Sequence, residues 1–264
     1  MVWPVMSESP VIVLRDIAKR FGDGPLVLDG VSLQVRRREF LVVVGASGSG
    51  KTTLLRLINR LLDASEGQVQ VGGADVRSTD PVALRRRIGY VFQEVGLFPH
   101  MTVAENIAIT PKLLGWEQTR RDARVRELLE LVRLDQGYAN RFPAQLSGGE
   151  RQRVGIARAL AATPEIVLMD EPFAALDPLT RDGLGQDYRR LHETLQLTTV
   201  MITHDMLEAL SLADRIAVLH GGVLIADAAP SQLMSDEQAY VRELMQAPRK
   251  IAERVGTLLA GGGS

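Results

Sequence analysis

Short apolar runs, separated by turn-forming and charged residues, recur along the chain and predict β-strands. Residues 11–14 and 31–35 are β-type segments on either side of a turn-rich stretch, residues 21–25, which indicates a small antiparallel layer. Residues 40–44 are apolar at every position, as expected for a strand buried on both faces. Residues 68–73 predict a further strand that ends in a glycine turn. The N-terminal part therefore predicts an antiparallel layer beside a core strand.

Further along, helical and strand-like segments alternate. Residues 88–92, 166–169 and 199–202 predict core strands. From residue 97 to about residue 142 apolar side chains follow a helical spacing among charged residues, as in Val125, Leu128, Leu129 and Val132. This pattern predicts a helical insertion, and the alternation after it indicates a parallel β/α architecture.

The C-terminal part predicts a hairpin and a helix. Residues 216–219 and 223–225 are joined around two glycines and predict the hairpin, and the helix is predicted to begin within residues 236–244. The predicted fold is an α/β domain over residues 11–246, with a parallel sheet, an N-terminal antiparallel β layer and an inserted helical subdomain at about 94–147. Residues 247–264 are predicted to be a tail whose Gly-Gly-Gly-Ser end is flexible.

Composition narrows the function only slightly. The 264 residues include 31 basic and 32 acidic side chains, and a net charge of −1 gives no electrostatic reason to propose nucleic acid as the main partner. The absence of cysteine excludes disulfide and thiolate chemistry. No apolar run approaches the roughly 18 residues that a membrane helix needs, and the N-terminus lacks a secretory pattern, so we expect a soluble, cytosolic chain.

The most informative motif follows the run at residues 40–44 and fits the pattern G-x-x-x-x-G-K-[ST]. Its glycines allow backbone N–H groups to converge on an anion, and the following helix adds its positive end. Lys51 is predicted to reach the β- and γ-phosphates and Thr52 to hold Mg²⁺, which makes ATP or a related triphosphate the expected ligand. The predicted phosphate loop comprises Gly45, Ala46, Ser47, Gly48, Ser49, Gly50, Lys51, Thr52 and Thr53.

Two carboxylates follow the apolar run at residues 166–169. Asp170 and Glu171 are predicted at the sheet edge where open α/β sheets bind ligands. We expect Asp170 to bind Mg²⁺ directly or through water, and Glu171 to polarise the water that attacks the γ-phosphate.

A third segment, residues 146–152, contains Ser147 followed by Gly148 and Gly149. Ser147 is predicted to cap a helix that runs towards Leu160. The residues alone leave two interpretations open, a plain helix start and a helix N-terminus that binds a second phosphate face. Taken with the phosphate loop and the Asp-Glu pair, this segment resembles the signature of the ATP-binding-cassette family, whose ATPase subunits drive membrane transporters.

The resemblance extends from about residue 11 to residue 244 and implies roles for four further positions. Phe21 would stack on adenine, and Gln93 would be the mobile glutamine that contacts Mg²⁺ or water and couples the site to a membrane partner. Asp177 lies in a segment, residues 174–177, that resembles the loop crossing the dimer interface, with Ala174 in place of a frequent serine. His204 would be the switch histidine that senses the γ-phosphate.

The resemblance also implies the assembly. In this family two ATPase subunits pair head to tail, so Ser147 of one copy closes over the ATP held by the Lys51 loop of the other. The implied partners are a second ATPase subunit, either another copy of this chain or a similar subunit, then transmembrane permease subunits and, indirectly, a substrate-binding protein, at the cytoplasmic face of a bacterial membrane. Cassette ATPases of DNA repair typically carry long coiled-coil or zinc-bearing insertions between the phosphate loop and the signature. Residues 97–142 are a compact helical segment without cysteine, which disfavours that class. A P-loop kinase does not explain the Ser147 segment.

Residues 109–116 and 173–181 resemble ATPases that import quaternary amines such as glycine betaine, choline or carnitine. These residues would face a partner rather than the solute, so the substrate follows only by analogy. Amino-acid importers are the nearest alternative. The sequence stops about 20 residues after Leu244, so we expect this subunit to lack the C-terminal sensing modules of many osmoprotectant ATPases.

Overall fold

Two β-sheets and a group of helices form the fold. The structure is a computed structural model that describes residues 9–236 and 238–246, and the predicted tail, residues 247–264, lies outside these residues. The strands are β1 Ile12–Arg20, β2 Leu26–Val35, β3 Phe40–Val44, β4 Glu66–Val71, β5 Ala74–Asp75, β6 Ile88–Val91, β7 Ile166–Asp170, β8 Thr198–Thr203, β9 Arg215–His220 and β10 Val223–Ala228. The helices are α1 Lys51–Ile58, α2 Pro81–Arg86, α3 Val103–Leu113, α4 Gln118–Leu131, α5 Gly148–Leu160, α6 Pro178–Leu195, α7 Met206–Leu212 and α8 Pro230–Leu233. Residues 239–246 are also helical.

The larger sheet has six strands in the order β10-β9-β3-β8-β7-β6. All neighbouring pairs from β9 to β6 are parallel, and β10 pairs antiparallel with β9. The turn between β9 and β10 places Gly221 at φ 55° and Gly222 at φ 83°, backbone conformations that glycine adopts without steric cost. The predicted parallel sheet and hairpin are therefore confirmed.

The smaller sheet is antiparallel and confirms the predicted N-terminal layer, with β1 between β2 and β4. β1 continues well past residue 14, where the predicted strand ends. The pairing shifts register after Leu14, and Asp16 adopts φ 47°, as in a bulge. Beyond the bulge Ile17 and Ala18 are buried again, after two exposed polar residues, Arg15 and Asp16. This polar interruption is why the sequence pattern shows only the first half of the strand.

The segment between β6 and α5 is helical, as predicted, and its apolar positions are buried. Its first helix, α3, begins later than residue 97 because Thr102 caps it and Glu105 completes a capping box with Thr102. Helices α3 and α4 both pack against α5. The extent of the subdomain, about 94–147, stays a prediction. Within residues 9–236 and 238–246 no helix is both long and apolar enough to cross a membrane.

Strand pairing places the predicted chemical groups at one edge of the larger sheet. β3 and β7 both flank β8, and the register pairs Val44 with Thr203 and Asp170 with Ile202. The chain therefore leaves β3, β7 and β8 at nearly the same height. The segments that begin there carry the phosphate loop, Glu171 and His204.

Helix α5 lies unusually close to β6. A Cβ built on Gly89 in β6 would lie 2.6 Å from the carbonyl oxygen of Ala159 and 3.2 Å from Pro164 Cγ. This contact holds the C-terminal end of α5 against the sheet, and the N-terminal end of the same helix begins after Ser147.

Gly89→Ala should therefore lower the free energy of unfolding by about 1–3 kcal/mol, because the new methyl group meets backbone that cannot rotate away. Gly183→Ala is the matched control, since its Cβ on the exposed side of α6 would meet no atom within 4 Å. That change should stabilise the protein by up to about 1 kcal/mol through helix propensity. Urea unfolding of both variants measures the effects, and the same sign for both would contradict the close packing of β6 and α5.

Candidate nucleotide site

The phosphate loop connects β3 to α1 and is shaped by close backbone contacts. Gly50 precedes α1 with φ 100°, and a Cβ there would lie 2.7 Å from Leu28 Cδ2 and 2.8 Å from the Val27 carbonyl oxygen. At Gly45 a Cβ would overlap the carbonyl oxygen of Leu219. Larger residues are thus excluded from both ends of the loop, where the backbone lies close against β2 and β9.

Lys51 lies beneath this loop, with only 5% of its surface exposed. Its Nζ donates hydrogen bonds to the carbonyl oxygens of Gly45 at 2.8 Å and Ala46 at 2.9 Å. Burial lowers the pKa of the Lys51 ammonium, while the nearby carboxylates of Glu171 and Asp170 act in the opposite direction. The hydroxyl of Ser49, also in the loop, is buried without a hydrogen-bond partner. A buried cation and an unpaired buried hydroxyl beside the loop suit an anionic ligand.

Asp170 lies at the end of β7 and is 6% exposed. Its two carboxylate oxygens accept hydrogen bonds from Thr52 Oγ1 at 3.2 Å and from the Tyr90 hydroxyl at 3.4 Å. Burial raises the pKa of Asp170, although the Thr52 hydrogen bond and the charge of Arg56 favour the ionised form. Burial likewise raises the pKa of Tyr90, so its hydroxyl stays a donor to Asp170. Sequence reasoning missed Tyr90 because the strand pattern marks it as a core residue.

Glu171 and His204 form a second pair at the same edge. His204 Nδ1 lies 2.9 Å from Glu171 Oε2, and the His204 side chain is 58% exposed. Glu171 adopts a left-handed φ of 43°, which is uncommon for a residue with a side chain and costs of order 1 kcal/mol or more. Its N–H donates to the Ile202 carbonyl oxygen at 3.0 Å, which anchors the strained residue to β8.

A cavity of about 500 Å³ brings half of the predicted site residues together. Its lining comprises Val27, Ser47, Gly48, Gly50, Lys51, Thr52, Thr53, Gln93, Glu171 and His204. Asp170 adjoins this cavity through its hydrogen bond to Thr52. The residues predicted for phosphate, metal and base therefore share one site within a single chain.

The other predicted residues do not line this cavity. Phe21 is half exposed at the start of the β1–β2 turn, where Lys19 Nζ lies 4.9 Å from the centre of its ring. Ser147 caps α5 in a capping box with Glu150, as predicted, and remains exposed. Asp177 caps α6 by accepting the Thr180 N–H at 3.0 Å. A Cβ on Gly149 would meet Thr180 Cγ2, so the Ser147 segment lies beside the start of α6.

The donor set fits Mg²⁺ and a triphosphate. Thr52, Asp170 and Gln93 offer hydroxyl, carboxylate and amide oxygens, the ligands that a hard cation prefers. Within the part of the chain that the structure describes, no group of three or more His, Cys, Asp or Glu side chains is arranged to hold a metal. A metal in this site would be held by Asp170, Thr52 and Gln93 together with phosphate oxygens and water.

The family model described as ABC transporter matches residues 28–174, which include the phosphate loop and the Asp170–Glu171 pair. This chain belongs to the ABC transporter family. The match also includes Gln93 and the Ser147 segment, whereas Phe21, Asp177 and His204 lie outside it. The match supports the inferred membership but assigns no role to single residues.

Curated relatives carry transport names. The chain is 44% identical over 91% of its length to the choline transport ATP-binding protein OpuBA of Bacillus subtilis and covers 64% of that protein. It is 44% identical over 85% of its length to the glycine betaine uptake system ATP-binding protein YehX of Escherichia coli, of which it covers 73%. It is also 46% identical over 87% of its length to the sulfate/thiosulfate import ATP-binding protein CysA of Caulobacter vibrioides, of which it covers 68%. The chain thus spans less than two thirds of the length of OpuBA.

Solved structures show the same fold. The ATP-binding cassette MJ0796, in a dimeric post-hydrolysis state bound to ADP and Pi, superposes with a TM-score of 0.75 and 34% identity. The superposition covers 83% of this chain and 98% of that one. The predicted α/β fold is therefore confirmed.

Gly50→Ala should weaken nucleotide binding at least about tenfold and destabilise the protein, because the methyl group meets both Leu28 and the Val27 backbone beside the cavity. Gly72→Ala is the matched control, since Gly72 also has a left-handed φ, 60°, but lies in the β4–β5 turn with no atom within 4 Å of its Cβ. The control should lose about 1 kcal/mol of stability without any change in nucleotide Kd. Fluorescent ATP titration distinguishes them, and equal Kd values for both variants would contradict the proposed site.

Proposed function

We propose that this chain binds and hydrolyses ATP as the ATP-binding subunit of an ABC importer. The observation that carries the proposal is the convergence of Lys51, Asp170 and the hydrogen-bonded Glu171–His204 pair at one sheet edge. Lys51 would neutralise phosphate charge, Asp170 would bind a metal, and the Glu171–His204 pair would accept a proton. A protein that only bound ATP would not need a proton acceptor.

The binding half of the site is built from the loop and α1. Backbone N–H groups of the loop and the N-terminus of α1 would hold the β- and γ-phosphates. Lys51 would exchange its carbonyl partners, Gly45 and Ala46, for phosphate oxygens. The negative charge of the phosphates would offset the cost of burying the ammonium group. Phe21 would stack on adenine, for which its exposed ring is available.

The metal-binding part of the site consists of oxygen donors. Mg²⁺, when bound, would neutralise charge on the transferred phosphate. Thr52 and Asp170 are already hydrogen-bonded to each other, so both point to one place, and Gln93 lines the same cavity. Ligand geometry of this kind is prepared before the ligand arrives.

The catalytic part of the site is the Glu171–His204 pair. Glu171 would orient the attacking water and accept its proton, and His204 would hold the carboxylate in place and respond to the γ-phosphate. The left-handed backbone at Glu171 places its side chain beside His204. The hydrogen bond from the Glu171 N–H to the Ile202 carbonyl oxygen offsets part of the backbone strain.

A second copy would complete the site. Ser147, Gly148, Gly149 and Asp177 lie outside the cavity that holds Lys51, yet Ser147 is exposed at the N-terminus of a 13-residue helix. Head-to-tail pairing would bring this helix end, with its partial positive charge, over the phosphates held by the other copy. One chain would then supply half of each of two sites.

A permease would dock beside Gln93. A cleft of about 530 Å³ lies there, and its lining includes the apolar side chains of Tyr90, Phe92, Phe98, Ile109 and Leu113. Leu113 is 60% exposed, which is unusual for a large apolar residue. Arg158, near the end of α5, donates to the carbonyl oxygens of Val95 and Gly96 at 2.6 Å. Because of these hydrogen bonds, a movement of α5 would also displace residues that line the cleft. A permease bound in the cleft would hold the chain at the cytoplasmic face of the membrane.

The solute proposed is a quaternary-amine osmoprotectant such as glycine betaine, choline or carnitine. The names of the relatives OpuBA and YehX support it, whereas CysA, at similar identity, favours sulfate or thiosulfate. Stimulation of ATP hydrolysis in the purified complex with its binding protein, across betaines, choline, amino acids and sulfate, tests the solute. Stimulation by sulfate or an amino acid alone would refute the osmoprotectant assignment.

Glu171→Gln should lower kcat for ATP hydrolysis by at least about 100-fold, because the amide cannot accept the proton of water, while ATP binding persists. Glu193→Gln, an exposed change in α6, is the control and should leave turnover unchanged. Steady-state hydrolysis and nucleotide titration measure the two properties. Undiminished turnover in the Glu171 variant would exclude Glu171 as the base.

Ser147→Arg should abolish ATP-dependent pairing of two chains, because the long cation fills the space in which the partner's nucleotide would lie. Ser147→Ala separates this effect from the loss of the cap, which costs about 1 kcal/mol of stability. Light scattering with and without ATP measures the mass of the particle. A Ser147→Arg chain that pairs and hydrolyses ATP normally would contradict the shared site.

A further inference from the structure

Tyr240 connects the C-terminal helical segment, residues 239–246, to the phosphate loop. Val241 in this segment is fully buried in the core, and the Gln238 side chain donates to the Ile225 carbonyl oxygen at 2.6 Å. The segment is thereby fixed against β10. The Tyr240 ring packs on the His220 ring at the end of β9, with centroids 4.0 Å apart.

The Tyr240 hydroxyl accepts a hydrogen bond from the Ala46 N–H at 3.1 Å. That N–H and the carbonyl of Gly45 belong to one peptide unit, which is planar and rigid. The Gly45 carbonyl in turn accepts a hydrogen bond from Lys51 Nζ at 2.8 Å. A hydroxyl that holds one side of this peptide therefore orients the carbonyl that holds the loop lysine.

Ala46 also holds the rest of the loop base through its carbonyl group. The Ala46 carbonyl accepts hydrogen bonds from Lys51 Nζ at 2.9 Å and from the Ser49 N–H at 3.2 Å. Gly45 is already packed against the Leu219 carbonyl, so the loop base has little room to move towards β9. The Leu219 carbonyl packs against Gly45 and the Tyr240 hydroxyl accepts the Ala46 N–H, so both contacts restrict the Gly45–Ala46 peptide.

We propose that Tyr240 is a positioning residue for the phosphate loop, and that ATP affinity therefore depends on how residues 239–246 are seated. Tyr240 would not touch the nucleotide itself. It sets the Gly45–Ala46 peptide, and this peptide sets where the Lys51 ammonium waits for phosphate. The inference rests on the proposed function only in naming ATP as the ligand.

Tyr240→Phe removes the hydroxyl and keeps the ring. We expect the Kd of a fluorescent ATP analogue to rise about two- to tenfold, the effect of one lost hydrogen bond, with a matching rise in KM and little change in kcat. Tyr188→Phe is the matched control, because its buried hydroxyl bonds to Thr199, 2.9 Å away, and does not contact the loop. The control should lower Tm without changing Kd, and an unchanged Kd in Tyr240→Phe would overturn the proposal.

Ala46→Pro removes the donor instead of the acceptor. If the hydroxyl acts through the Ala46 N–H, Tyr240→Phe should raise Kd by less than about 1.5-fold in an Ala46→Pro background, since the two changes delete the same contact. A full-sized effect in that background would show that Tyr240 acts by another route and would overturn the proposal.

Amide hydrogen exchange tests the contact without nucleotide. In the nucleotide-free 264-residue chain the Ala46 amide should exchange faster in Tyr240→Phe than in the wild type, and at the wild-type rate in Tyr188→Phe. Unchanged exchange at Ala46 in Tyr240→Phe would refute the inference. A wild-type chain that failed to bind ATP would refute the proposed function instead, so the two failures are distinguishable.

Discussion

The parallel pairing of β3, β8 and β7 is the constraint on which the site depends. Because the register pairs Val44 with Thr203 and Asp170 with Ile202, three chain segments leave the sheet side by side. A register shift of one residue would turn every side chain of the shifted strand to the opposite face. The pairing therefore fixes both the distance between Lys51 and the carboxylates and the faces on which they lie.

This arrangement carries a cost that the surrounding contacts offset. Lys51 and Asp170 are both buried. Burial lowers the pKa of Lys51 and raises the pKa of Asp170, so it favours the neutral form of each side chain. Hydrogen bonds from Lys51 to two loop carbonyls, and from Thr52 and Tyr90 to Asp170, compensate in part. The remaining deficit suits a site that gains stability when a charged ligand arrives. The strained backbone at Glu171 belongs to the same pattern.

Local patterns predicted much of the fold. Buried strands such as β3 are visible because every residue is apolar, and the start of α5 is visible because Ser147 is a typical helix-capping residue. The second half of β1 was hidden by the bulge at Asp16, and β5 is too short to leave a pattern. The Tyr90–Asp170 and Tyr240–Ala46 contacts join residues 80 and 194 positions apart, so no local pattern reports them.

We infer that a complete site needs two chains, and a mixing experiment tests this most directly. Lys51→Ala lacks the loop cation but keeps the Ser147 segment, and Ser147→Arg has the opposite defect. Neither variant alone should hydrolyse ATP. A mixture should regain activity, because a mixed pair contains one site with an intact loop from one chain and an intact Ser147 segment from the other. A mixture no more active than its separate components would contradict the claim.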